Sequence, residues 1–177
     1  MTRAAAPMSP AASEAAAGLP ALLDALRASL TRLLELSETK LHALRSADAP
    51  ALQRCASEES AALEEWLSLQ RRREVEIARL AQGLPTPWEG RATLSALAER
   101  LPATLACEIR GKTGDLRALA AKLQATNRAA AELARGLHSH IRAVFQELAR
   151  SGSETAGYGR SGQLQSRRQE RWVDALG

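Results

Sequence analysis

The stretch from Leu105 to Leu148 constrains the fold more than any other part of the chain. Its large apolar residues fall at Leu105, Ile109, Leu116, Leu119, Leu123, Leu133, Leu137, Val144 and Leu148, and Ala130 and Ile141 fill the same face. Steps of three and four residues return to one side of an α-helix, so this spacing predicts a single long helix with a coiled-coil seam. If continuous, it is roughly 65 Å long at about 1.5 Å per residue. A rod of that length needs neighbouring helices to cover its seam. The expected fold is therefore all-α, an elongated antiparallel bundle of three long helices with one short additional helix and flexible termini. Lys112 and Thr126 interrupt the seam, and Gly111, Gly114 and Gly136 each weaken the helix by about 1 kcal/mol relative to Ala. These positions are either local loosening that packing absorbs or thin spots where another chain comes close.

Composition agrees with helices. Hydrophobic residues make up 45% of the 177 but aromatics only 3%, so Leu and Ala supply the apolar surface. Val and Ile are scarce, which argues against strands. The net charge of +4 is modest and acids are interspersed among the arginines, so no single-sign surface suited to nucleic acid emerges. Cys55 and Cys107 are far apart and outside metal-ligand spacing, which points to a reducing cytosol and to two small buried side chains. The N-terminus, MTRAAAPMSPAASEAAAG, lacks the apolar run of a signal peptide. No stretch approaches the roughly 18 apolar residues that span a bilayer. The expectation is a soluble cytoplasmic protein without stable membrane insertion.

In order along the chain, residues 1–18 form an Ala-, Pro- and Ser-rich lead, expected to be disordered because it offers little large apolar surface. The bundle is expected over 19–149, with helices at about 20–45, 49–82, 87–101 and 103–149. Pro20 suits a first helical turn. Leu23, Leu26, Leu30, Leu33, Leu41 and Leu44 make the first seam, broken at Ser37. Asp48 as cap and Pro50 in the first turn start the second helix after a short antiparallel connection. Its inner face carries Leu52, Cys55, Ala62, Leu63, Trp66, Leu69, Ile77 and Leu80. Arg71, Arg72 and Arg73 fan out by about 100° each on a helix and do not make one phosphate-binding patch. After Gly83, Thr86, Pro87 and Glu89 fit a capping box for the short helix, and Pro102 ends or kinks it. Residues 150–177 are Gly- and Ser-rich and are expected to be a flexible tail.

Chemistry-bearing motifs fail on inspection. Gly111-Lys112-Thr113 matches the end of a P-loop, but Ala106 stands where the first glycine belongs and no strand precedes it. His138 and His140 point to different faces of a helix, and no paired Glu-x-x-His motif, nucleophile elbow or zinc spacing occurs. No catalytic, cofactor-binding or metal-ligating residue is expected, and no enzyme. The tail carries the only tyrosine, Tyr158, together with Leu164, Trp172 and Val173. Aromatics on such a tail either dock on the chain's own bundle or contact another protein.

The ordered pattern resembles the FlgN-type flagellar export chaperones. The residues that carry this are the Leu-rich first helix, then RSADAPALQRCASEESAALEEW, similar to the family's "gD…L" start of its second helix. The long helix LRALAAKLQATNRAAAELARGLHSHIRAVFQEL follows, and then a tail of the form YGRSG…VDALG. The resemblance covers roughly Leu22 to the C-terminus, and the region of Asn127 and the Tyr-Gly-x-x-Gly tail are its more distinctive parts. The chain departs from the family at Ala130, where members often carry a second Asn, and in its Ala/Pro lead. What the resemblance implies is a small helical cytosolic chaperone without enzymatic activity. It binds C-terminal helical segments of hook–filament junction proteins, keeps them unassembled and brings them to the flagellar type III export gate. The tail then takes part in client binding, and Tyr158 is the residue that matches a tail tyrosine implicated in docking at the gate.

The expected partner-binding residues are Leu133, Leu137, Ile141 and Val144 on the seam and Tyr158, Leu164, Trp172 and Val173 in the tail. The alternative is a structural coiled-coil protein that associates with itself, for instance as a homodimer, through the seams alone.

Overall fold

The structure is a computed structural model that describes residues 9–84 and 93–153. Four helices follow one another: α1 (Pro10–Arg45), α2 (Ala49–Gln82), α3 (Leu94–Ala98) and α4 (Ala103–Ser153). The fold is an all-α bundle, as the seams predict, with no strand among the described residues. The chain divides into two units, Met1–Ala131 and Glu132–Gly177.

Helix α1 begins at Pro10, not at Pro20, so the second half of the expected 1–18 lead is helical. The Ser9 hydroxyl accepts the Ala12 N–H at 3.2 Å, and Pro10 occupies a first-turn position where its missing N–H costs nothing. Ala12, Ala15, Ala16 and Leu19 are buried. Alanine is the best helix former, and its small side chain lets α1 close on the end of α2. There the Ser9 N–H donates to the Gly83 carbonyl at 3.2 Å. A Cβ on Gly83 would collide with Ala12 Cβ and Ser9 Oγ, so this close approach requires glycine. Pro20 thus lies inside α1. An interior proline costs about 3 kcal/mol, a cost that burial of Leu19, Leu22 and Leu23 around it offsets at roughly 1.5–3 kcal/mol per side chain.

The turn between α1 and α2 uses local chemistry. The Ser46 N–H donates to the His42 carbonyl and the Asp48 N–H to that of Ala43, with Ala47 in the left-handed region at φ 53°. Asp48 then accepts the Ala51 N–H at 3.0 Å. The two helices run antiparallel: Lys40 pairs with Glu59 at 2.7 Å, and Arg32 lies farther down beside Glu65. Helix α4 runs parallel to α1, because Asp24 meets Lys112 and Ser37 meets Asn127. Ser37, the apparent break in the first seam, is fully buried, and its hydroxyl donates to Asn127 Oδ1 at 2.5 Å.

The core of the first unit gathers Leu19, Leu23 and Leu26 of α1, Leu80 of α2, Leu97 of α3 and Ile109 of α4. Helix α3 is shorter than the expected 87–101. Thr93 caps it by accepting the Ala96 N–H at 3.4 Å. Leu97 and Ala98 are buried, and the chain turns through Glu99 and Arg100 before Pro102, which disfavours a helical residue ahead of it. The expected capping box at Thr86, Pro87 and Glu89 lies outside the described residues. Two inner-face expectations fail for one reason. Cys107 is exposed while Ala106 and Ile109 are buried, and Leu63 is exposed beside buried Ala62. One residue along a helix is a 100° turn, enough to leave the core face. Cys55 is buried as expected.

Candidate functional site

Within the second unit, α4 carries the seam onward through Leu133, Leu137, Ile141, Val144 and Leu148. Leu133 and Leu137 are half-buried, and every described residue from His138 to Ser151 is exposed. Ile141 is 52% exposed, Phe145 66% and Leu148 60%, with Val144 between them on the same side. Successive members lie three or four positions apart, so their side chains stack along one helix face. A contiguous exposed apolar stripe is the kind of surface at which proteins commonly meet partners.

The polar surroundings are mild. Glu147 and Arg150 approach to 3.9 Å, and both are largely exposed, so the pair contributes little. The Ser151 hydroxyl donates back to the Leu148 carbonyl at 3.1 Å, as a helix end permits. A Cβ placed on Gly136 would meet no heavy atom within 4 Å, and the same holds at Gly111 and Gly114. Among the described residues no group of three His, Cys, Asp or Glu could hold a metal ion, and no helix is long and apolar enough to cross a membrane.

The seam interruption at Lys112, in the first unit, is an interhelical contact. The Lys112 ammonium donates to both Asp24 carboxylate oxygens at 2.6 Å and lies 3.6 Å from Glu108. The hydrogen bond to Asp24 raises the Lys112 pKa above its ordinary 10.5; partial burial opposes this, and the charges of Asp24 and Glu108 reinforce it.

Four of the eight expected partner-binding residues are thus brought together on one face: Leu133, Leu137, Ile141 and Val144. Tyr158, Leu164, Trp172 and Val173 lie outside the described residues. Sequence reasoning missed Phe145, the most exposed large apolar side chain of the stripe and the chain's only phenylalanine. It sits one position off the three-four seam, yet four residues after Ile141, and a lone aromatic at that offset is the signal that could have found it. In comparison with known proteins, the family model described as FlgN protein matches residues 8–166. No curated protein and no solved structure matches.

Proposed function

Because the chain belongs to the FlgN family, a family of flagellar export chaperones and not of enzymes, we propose that its clients are hook–filament junction proteins and that it holds their C-terminal helical segments on the open face of α4. The observation that carries this reading is the exposed stripe from Ile141 to Leu148. A client segment that forms coiled coil only in the assembled flagellum has an apolar stripe of its own beforehand. Laid along Ile141, Val144, Phe145 and Leu148, it is covered by helix-to-helix packing and kept from premature assembly. Phe145 is the natural anchor, since aromatic side chains dominate the energetics of such contacts.

The tail supplies the rest of the proposed mechanism. Leu164, Trp172 and Val173 close over the client, and Tyr158 contacts the export-gate component to which the complex is delivered in the cytoplasm. Ordering a client and a tail together costs conformational entropy and keeps affinity moderate, which suits a cargo that must be released. No nucleotide or metal takes part in this scheme.

The test is to co-purify the organism's junction proteins with the full chain, with a chain ending at Ser151, and with Phe145→Ala and Leu148→Ala. Binding by the full chain that weakens about tenfold or more on each change, with helicity retained, supports the reading. Absence of binding by a folded full-length protein overturns it. The same stripe also fits a second copy of the chain, so sedimentation-equilibrium behaviour is part of the measurement. Oligomers that Phe145→Ala dissolves, in a protein that binds no client, establish self-association instead.

A further inference from the structure

A second surface lies in the first unit. A cleft of about 750 Å³ runs between α2 and α4, floored by Leu23, Leu26 and Leu30 of α1 and walled by Trp66, Ile77 and Leu116. Thr93, Leu94 and Ser95, at the start of α3, line the same cleft. Residues of three long helices line the furrow, and among the described residues the start of the five-residue α3 lines it as well. A helix about 10 Å across is the shape such a furrow takes.

Two guanidiniums give the cleft a chemical preference. Arg73 of α2 lines it with a buried Nε that has no hydrogen-bond partner among the described residues. Arg117 of α4 lines it too, and among the described residues its Nη2 donates to the Ser95 hydroxyl, at 3.2 Å. Neither makes an ion pair with a carboxylate of the described chain. Glu74, the one acid among the described residues of the cleft, is exposed to solvent and makes no ion pair with Arg73. The Arg73 Nε is covered by the chain itself, but both side chains reach the cleft, and a carboxylate is the acceptor that matches the planar guanidinium fork.

We propose that this cleft is a second docking groove for the client, taking an acidic amphipathic helical turn whose apolar residues cover Leu30, Trp66 and Leu116 and whose Asp or Glu meets Arg73 and Arg117. The proposal rests on the chaperone reading above and adds to it a site with a different chemistry. The α4 stripe is apolar and sequence-tolerant, whereas the cleft demands a carboxylate and so selects among helices of similar hydrophobicity.

The experiment titrates the C-terminal segment of the junction protein against the full chain, Arg73→Gln, Arg117→Gln and Phe145→Ala, with circular dichroism confirming that each is folded. Arg117→Gln serves as the second variant, because its side chain is exposed and its loss leaves the core untouched. A photocrosslinking residue at exposed position 120, on the cleft wall, reports the occupant directly. The expected result is an affinity loss of about tenfold for each Arg variant, matched by replacing one client carboxylate with its amide, and a crosslink from position 120 to the client. Unchanged affinity in both Arg variants alongside a loss in Phe145→Ala overturns the cleft and leaves the chaperone reading standing. Crosslinks only within the chain or to a second copy also overturn it. No binding by the unaltered chain overturns both.

Discussion

Helix α4 contains the same apolar spacing twice, with opposite outcomes. Up to Ala130 its seam meets the rest of the first unit: Ala106, Ile109 and Ala130 are buried, and Leu116, Leu119 and Leu123 are half-buried. In the second unit the spacing continues through Ile141, Val144 and Leu148, and those side chains are exposed. Periodicity specifies that a face exists. Whether that face is core or binding surface depends on which other segments pack against it. A substitution should therefore cost folding stability in the first stretch and partner affinity in the second.

The largest expected effect sets those two stretches directly against each other. Ile109→Ala removes a side chain that is 1% exposed and should destabilise by about 2–5 kcal/mol in urea unfolding, because a cavity remains in a packed core. Phe145→Ala should change unfolding by no more than about 0.5 kcal/mol, as expected for an exposed position, while weakening the client complex. Equal unfolding costs at the two positions would break the comparison.

Next in size is Gly83→Ala, which asks how firmly the start of α1 is held in the first unit. The added methyl meets Ala12 and Ser9, and overpacking of this kind costs about 1–3 kcal/mol. Faster hydrogen exchange confined to the first turns of α1 is the accompanying sign.

Asn127→Ala sharpens the comparison close to the boundary between the units. It leaves the fully buried Ser37 hydroxyl without its acceptor, a loss of about 1–3 kcal/mol. A double-mutant cycle with Ser37→Ala should recover part of it, since the pair is then removed together.

The smallest effect belongs to Lys112. Its folded pKa is raised by the hydrogen bond to Asp24, so its contribution is fully present below the ordinary lysine value of 10.5 and fades as pH rises through the higher folded value. Thermal unfolding of the unaltered chain should lose stability in that alkaline range more steeply than Asp24→Asn. A matching pH profile for the two proteins would remove the pair from the account of how α4 is held.

Much of the architecture was legible in the residues themselves. The turn at Ser46-Ala47-Asp48 and the span Ala49–Gln82 follow from a cap, a proline and a seam, all local signals acting over a few residues. The start of α1 was not, because Ala12, Ala15 and Ala16 carry almost no hydrophobic signal alone. Their value lies in letting two backbones approach at Gly83, and that approach is a property of the packed pair. Ser37 and Lys112 looked like defects for the same reason: their partners Asn127 and Asp24 stand some ninety residues away.

The candidate surface divides along the same line. Spacing alone placed Leu133, Leu137, Ile141 and Val144 on one face, since 3.6 residues per turn is fixed by backbone hydrogen bonding whatever surrounds the helix. It could not tell an open face from a covered one, nor reveal that Arg73 holds a buried guanidinium nitrogen without an acceptor. By itself the sequence determined the long helices, their order and most of the faces they present, because those depend largely on neighbours within one turn. Only the tertiary structure decided which faces were left over, because burial depends on segments that are distant in the chain and meet only when it folds.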